Sequence, residues 1–299
     1  MRRDMMNRVK QCSVLVAVVL LIFSVGCTCA RGGEFQPPTT GAATPWTGRP
    51  FNNDPVHFQF AIVSDRTGGP RPEVFNKAML QLNLMQPEFV ICVGDLIEGY
   101  TDNRGVLKKQ YDDMDATLDG LEMRFFRVAG NHDISNGVMA EVYRARYGSP
   151  YYHFVYKNVL FLIICTEDPP EANISDAQVR YMESALRDNK SVRWTLVFMH
   201  EPLFIGQAGK LHEGWAKIEK MLEDRPHTVF AGHNHSYAKY EKHGRSYIRL
   251  ATTGGASNLS GIAEGNFDQI VWVTMTGQGP RIANLMLSGI LPEDVKAVK

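Results

Sequence analysis

The chain has 299 residues, 32 basic and 32 acidic side chains, and a formal net charge of zero. That length suits one large α/β domain or two small ones. The balanced charge argues against broad electrostatic capture of nucleic acid, which needs a basic excess, and leaves open a local site for a small phosphate ester.

Residues 1–30 read as an export signal. Arg2, Arg3, Arg8 and Lys10 form a basic start, and residues 14–25 are nearly all apolar but too short to span a bilayer comfortably. Gly26, Thr28 and Ala30 supply small residues, with cleavage expected after Ala30. Ser24-Val25-Gly26-Cys27 is similar to a lipobox without its usual Leu, so a membrane tether through a lipidated Cys27 is the second reading. An uncleaved anchor is the third. The expected location is periplasmic or extracellular. Residues 31–55, rich in Gly, Pro, Thr and Ala, read as a flexible tether. Residues 56–290 read as one domain and 291–299 as a tail.

Within the domain, short apolar runs alternate with amphipathic stretches. The pattern predicts a strand at 57–64 and a helix at 72–85, with Val74, Ala78, Leu82 and Met85 on one face and Pro87 as the stop. A strand at 88–93, a helix at 106–119, a strand at 124–129 and a helix at 137–146 follow. Strands at 151–156 and 159–165 are joined by the turn Lys157-Asn158. Ser175 opens a helix with Gln178 as its capping-box partner and Val179, Met182 and Leu186 inward. A strand at 194–199 precedes a helix at 213–223, with Trp215, Ile218 and Leu222 inward, and a strand at 227–232. From Tyr237 to Leu287 the runs KYEK, SYIRLA, QIVWVTM and RIANLML are β-rich. Two packed sheets with helices outside account for this order, and ligands in such folds bind beyond the carboxyl ends of the strands. Of the five cysteines, Cys12, Cys27 and Cys29 belong to the export segment or its edge. Cys92 and Cys165 sit in apolar runs and read as core thiols, not as a disulfide framework.

Polar residues gather at that end of the strands. Asp65 follows AIVS, and Gly94-Asp95-Leu96-Ile97-Glu98 follows FVICV. Gly130-Asn131-His132-Asp133 follows FRVA, His200 follows TLVFM, and Gly232-His233-Asn234-His235 follows TVFA. Each alone is ordinary turn chemistry; together they assemble nitrogen and oxygen donors at one end of a sheet pair. The absence of a thiolate set excludes a structural zinc site. The mixture suits Mn, Fe, Zn or Ni better than Ca.

The series resembles the calcineurin-like metallophosphoesterase superfamily, whose pattern is D-x-H, GDxx[DE], GNH[DE], a lone His and GHxH. The resemblance runs from Asp65 to His235. It implies a four-layer α/β/β/α sandwich, two divalent transition metal ions (Mn, Fe or Zn), and hydrolysis of phosphomonoesters or phosphodiesters by a metal-bound hydroxide. On that pattern Asp95 would bridge the two metals. Asn131, His200 and His233 would complete one site, and Asp65 and His235 would serve the other. His132 would be the general acid, with Asp133 orienting its ring.

One motif departs from the pattern: Asp65-Arg66-Thr67 has Thr67 where an imidazole is expected. Purple acid phosphatases also lack this His but use a Tyr in the second motif, where this chain has Glu98; Tyr100 stands two positions further on. Three outcomes are open: Thr67 or a water fills the position, the site holds one metal, or activity is lost; a weakened first site with hydrolysis retained is the expectation. A reading of another class is an exported phosphate-ligand binding protein with an impaired metal site and no turnover. Arg66 could fork onto phosphate oxygens or pair with a carboxylate. Gly68-Gly69 reads as a turn that lets backbone approach the site. His57, His153, His227 and His243 read as structural. His212 sits in a loop that could overhang the site or be solvated. The Gly/Ser/Thr-rich loop 252–265 reads as a rim or lid. No residue pattern names the substrate.

Overall fold

The computed structural model describes residues 47, 49–168, 173–206 and 211–289. The export segment with Cys27, nearly all of the tether up to residue 48, and the tail 291–299 lie outside the described residues. The chain divides into two units, residues 1–51 and residues 52–299, and every element below belongs to the second.

The first half of the domain alternates strand and helix: β1 (Phe58–Val63), α1 (Val74–Met85), β2 (Phe89–Cys92), α2 (Arg104–Leu118), β3 (Arg124–Phe126) and α3 (Gly137–Tyr147). The middle contains β4 (Tyr152–Tyr156), β5 (Val159–Ile163), the two-residue strands β6 (Glu167–Asp168) and β7 (Asn173–Ile174), α4 (Asp176–Asp188), β8 (Trp194–Phe198), α5 (Glu213–Leu222) and β9 (His227–Ala231). The last part is β10 (Ala238–Lys242), β11 (Arg245–Arg249), β12 (Gln269–Thr276) and β13 (Gly279–Met286), closed by a 3-10 turn at Leu287–Gly289.

Two mixed sheets result. One has the order β13-β12-β1-β2-β3, the other β10-β11-β9-β8-β5-β4. Strands β1, β2 and β3 run parallel, as do β11, β9, β8 and β5, while β12, β13, β10 and β4 pair antiparallel at the flanks. β5 explains why its sequence is a continuous apolar run. Phe161 and Ile163 join the core between the sheets, while Leu160 and Leu162 face Met182 of α4 and Trp215 and Ile218 of α5. Both faces of the strand are covered, so the alternation of side chains is apolar on both beats. Phe60 meets Phe161 edge-on at 5.5 Å across the sheet interface. Helices α1, α2 and α3 bury Phe75, Leu82, Leu107, Met114 and Met139 against the first sheet. The layers are thus α/β/β/α. No helix among the described residues is long and apolar enough to cross a membrane.

Local chemistry adjusts two of the expected boundaries and one expected cap. Helix α1 starts at Val74 because Glu73 has a left-handed backbone (φ 63°) and the amide of Arg71 is held by the carbonyl of Gly254 at 2.8 Å. β3 stops at Phe126, short of residue 129, because the amide of Val128 leaves the ladder for the sulfur of Cys92 at 3.1 Å. Ser175 caps α4 by accepting from the amide of Gln178 at 3.2 Å. The expected reciprocal half of a capping box is absent: Gln178 spends its side chain on the backbone N–H and C=O of Cys165, both at 2.9 Å. The Lys157-Asn158 turn has both residues at positive φ (42° and 59°), as a two-residue hairpin of the favoured twist requires. Cys92 and Cys165 are free and buried.

Candidate metal centre

Each side chain of the motif series stands just past a strand end, and the two sheets bring them to one edge. Asp65, Asp95 and Asn131 come from the sheet containing β1, β2 and β3. His200, His233 and His235 come from the sheet containing β8 and β9. The Nε2 atom of His200 is 3.2 Å from Asp95 Oδ2 and 2.8 Å from Asn131 Oδ1. Nδ1 of His233 is 2.9 Å from the same amide oxygen and 3.3 Å from His200 Nε2. Nε2 of His235 is 3.4 Å from Asp65 Oδ1. Asp65, Asp95 and His200, all buried, each offer a donor atom within 4.8 Å of the others.

This donor set fits a divalent cation. Nδ1 of His200 donates to the Val93 carbonyl at 2.8 Å, and Nδ1 of His235 donates to the Ala256 carbonyl at 2.7 Å. Both rings therefore turn Nε2 toward the carboxylates, because a backbone carbonyl holding Nδ1–H leaves Nε2 as the nitrogen able to ligate. The electrostatics ask for positive charge at the same spot. Burial pushes the His200 pKa down, but the charge and hydrogen bond of Asp95, the charge of Asp65 and the Val93 carbonyl carry it up to about 10. Burial pushes Asp65 up, yet His235, His200 and the Ser64 hydroxyl bring it down to about 2.

The scaffold around these groups is tight. Asp65 Oδ2 accepts from Ser64 Oγ at 2.5 Å and Oδ1 accepts from the His233 amide at 2.9 Å. Asp95 Oδ1 accepts from the His132 amide at 2.9 Å. The glycines that precede Asn131 and His233 are a steric requirement. A Cβ on Gly130 would collide with Asp95 Oδ1 and come within 2.8 Å of the His200 ring, and one on Gly232 would sit 2.5 Å from Asp65 Oδ2. Asp95, His233 and His235 hold left-handed backbone at φ 58°, 72° and 51°, a strain of about 1–3 kcal/mol per residue that accumulates at functional sites.

Several residues depart from what their sequence positions implied. Asp133 does not orient the His132 ring. Its carboxylate accepts from the amides of Asp95 at 2.8 Å, Gly130 at 3.0 Å and Leu96 at 3.4 Å, tying the Asp95 and Gly130 turns together. Burial and the nearby Asp95 charge raise its pKa to about 6. The His132 ring is oriented by the Glu98 carbonyl, which accepts from Nδ1 at 2.7 Å. A Cβ built on Gly68 would lie 3.5 Å from His132 Nε2 and 3.6 Å from His235 Nε2, so the free nitrogen of His132 borders the cluster. Thr67 is fully buried and gives its hydroxyl to the Glu98 side chain, so it presents no surface to a substrate. Arg66 donates one N–H to the Leu96 carbonyl at 3.2 Å and forms no ion pair among the described residues. Burial lowers its pKa, against the charges of Glu98 and Asp113.

Tyr100 is the neighbour that the motif pattern passed over. Its hydroxyl accepts from Asn131 Nδ2 at 2.7 Å, and its ring stands edge-on to His132 at 4.7 Å. An aromatic residue shortly after the second motif was the only sequence signal for it. His153 and His227 pair with the hydroxyls of Tyr181 and Tyr247 at 2.7 Å and 3.1 Å, as structural residues do. His212 stands before α5 and meets Asn173 Oδ1 at 2.8 Å. The start of the loop at 252–265 is a rim made of backbone: the Thr252 hydroxyl and the amides of Thr253 and Gly255 all donate to the Asp65 carbonyl.

Solved structures share this fold at low sequence identity. A dimetal phosphatase from Danio rerio is 16% identical with a TM-score of 0.56, over 77% of this chain and 99% of that one. The purple acid phosphatase PPD1 from yellow lupin (Lupinus luteus) seeds is 15% identical with a TM-score of 0.60, over 79% of this chain and 52% of that one. GAP50, the anchor in the inner membrane complex of Plasmodium, is 15% identical with a TM-score of 0.58, over 79% and 86%. No curated protein matches the sequence. The profile of the calcineurin-like phosphoesterases matches residues 58–237, from the first residue of β1 through both histidines of the last motif, and the chain belongs to that family.

Proposed function

We propose that the protein hydrolyses phosphomonoesters or phosphodiesters with the help of two divalent transition cations, Mn, Fe or Zn. The observation that carries the reading is the convergence of two buried carboxylates, an amide oxygen and three imidazoles from two sheets, with the free nitrogen of His132 beside them. Cations bound there supply Lewis acidity toward the phosphoryl group and lower the pKa of a water. Asp95 would be shared between the cations, Asn131, His200 and His233 would hold one, and Asp65 and His235 would hold the other. His132 keeps its Nδ1–H on the Glu98 carbonyl and, when protonated, delivers the Nε2 proton to the departing ester oxygen. Arg66 keeps N–H groups free for the non-bridging phosphate oxygens.

A second reading, a phosphate-ligand binding protein without turnover, is favoured by one observation. Thr67, standing where the first motif should carry an imidazole, has its hydroxyl taken by Glu98. Elemental analysis of the purified protein, paired with a panel of phosphate esters, separates the two. About two transition metals per chain with turnover supports the hydrolase. One or none after incubation with Mn, Fe and Zn, with no ester cleaved, overturns it in favour of binding. We also propose export, on the basic start and apolar run of residues 1–30, with Cys27 as a candidate lipid tether. Recovery of the mature protein in the cytoplasm with its N-terminus intact would refute this.

A further inference from the structure

An asparagine side chain has two chemically opposite ends. The oxygen can ligate a cation or accept a hydrogen bond, while the NH2 group only donates. In Asn131 the oxygen faces His200 Nε2 and His233 Nδ1 at 2.8 Å and 2.9 Å, the spot where a cation would be held. Turned over, the amide would aim two N–H groups at that spot and repel the cation. The NH2 group therefore needs a partner on the far side, and among the described residues its hydrogen-bond partner is the hydroxyl of Tyr100 at 2.7 Å.

The backbone goes out of its way to bring that hydroxyl there. Gly99 and Tyr100 are consecutive left-handed residues, at φ 58° and 47°, and a bulky aromatic residue in that region is an outlier. The turn is built against the His132 segment. The carbonyl of Glu98 takes Nδ1 of His132, and a Cβ on Gly99 would collide with the His132 carbonyl oxygen. Tyr100 is 60% exposed, so burial of apolar surface does not account for its position.

We propose that Tyr100 is a positioning residue. Its hydroxyl accepts Nδ2–H of Asn131, fixes the amide with Oδ1 as the ligating face, and so sets the affinity of the cation held by Asn131, His200 and His233. The inference rests on the metal reading above and adds to it a residue outside the motif series.

The test is a titration of Mn2+ into the cation-stripped full chain by calorimetry, in wild type, Tyr100→Phe, Asn131→Asp and the double variant. Tyr100→Phe keeps the ring and its contact with His132 and removes only the hydroxyl. It should weaken Mn2+ binding about 10–100-fold, the usual effect of losing a hydrogen-bond partner that orients a metal-binding side chain, without lowering the melting temperature of the cation-free protein. In Asn131→Asp the two oxygens are equivalent, so the orientation no longer matters. There, removing the hydroxyl should change affinity less than about twofold, a coupling that a merely structural role would not produce. Equal affinities of wild type and Tyr100→Phe, or the same loss in both backgrounds, overturn the role of Tyr100 and leave the metal reading standing. A wild-type chain that takes up no Mn2+, Fe2+ or Zn2+ overturns both.

Discussion

A backbone carbonyl, not a carboxylate, steers the His132 ring. That contact fixes which nitrogen faces the cluster, the one the proposed acid role would use. The consequence is selective. Alkyl esters leave as strongly basic oxygens and need the proton, whereas nitrophenyl esters leave without it. His132→Ala should cost about 10²–10⁴ in kcat on alkyl phosphates and much less on nitrophenyl phosphates. Equal losses on the two substrate types in steady-state assays would remove His132 from the acid role. Asp133 belongs to a different task, since its oxygens are committed to amides of the Asp95 and Gly130 turns.

Among the elements, α4 is tied to the chain just past β5 by a buried polar side chain. Gln178 is fully buried and occupies both the N–H and the C=O of Cys165 just past β5. Gln178→Leu would strand two buried backbone groups, at about 1–3 kcal/mol each. The helix cap is worth less, and Ser175→Ala should cost about 1 kcal/mol. Urea denaturation measures both, and a Gln178→Leu loss no larger than the cap variant's would contradict the assignment. Much of this scale could be read in the sequence. β5 is apolar throughout, and β8 and β9 are apolar from Leu196 and Val229 onward, because helices cover one face and the second sheet the other, so apolar runs lead up to the strand ends. The grouping of Asp65, Asp95, Asn131, His200, His233 and His235 was legible because each follows such a run. The unread parts are contacts between loops remote in the chain. Tyr100 meets Asn131 across 31 residues, and Thr252 meets Asp65 across 187. No periodicity encodes such pairings. The strands β6 and β7, two residues each, are too short to show one.

For the molecule as a whole, the cluster is a junction between two sheets. Three of its side chains belong to one sheet and three to the other, so a cation gripped by both acts as a tie that only the folded state can form. At a concentration a hundred times the dissociation constant such a tie adds about 2.7 kcal/mol. For a domain of this size that is a rise of roughly 5–10 °C in melting temperature. Calorimetric scans should show the rise with Mn2+ and its reversal by a chelator; a melting temperature indifferent to both would mean that no cation bridges the sheets. The left-handed backbone at Asp95, His233 and His235 carries a consequence on a longer timescale. Without cations, folding gains from replacing these residues with Gly or Asn, which tolerate that conformation. A selection for heat resistance run in chelator would therefore dismantle the site first, and a lineage that had abandoned metal would drift the same way. On the proposed function, Asp95, His233 and His235 stand in that backbone region because the cations need their side chains there.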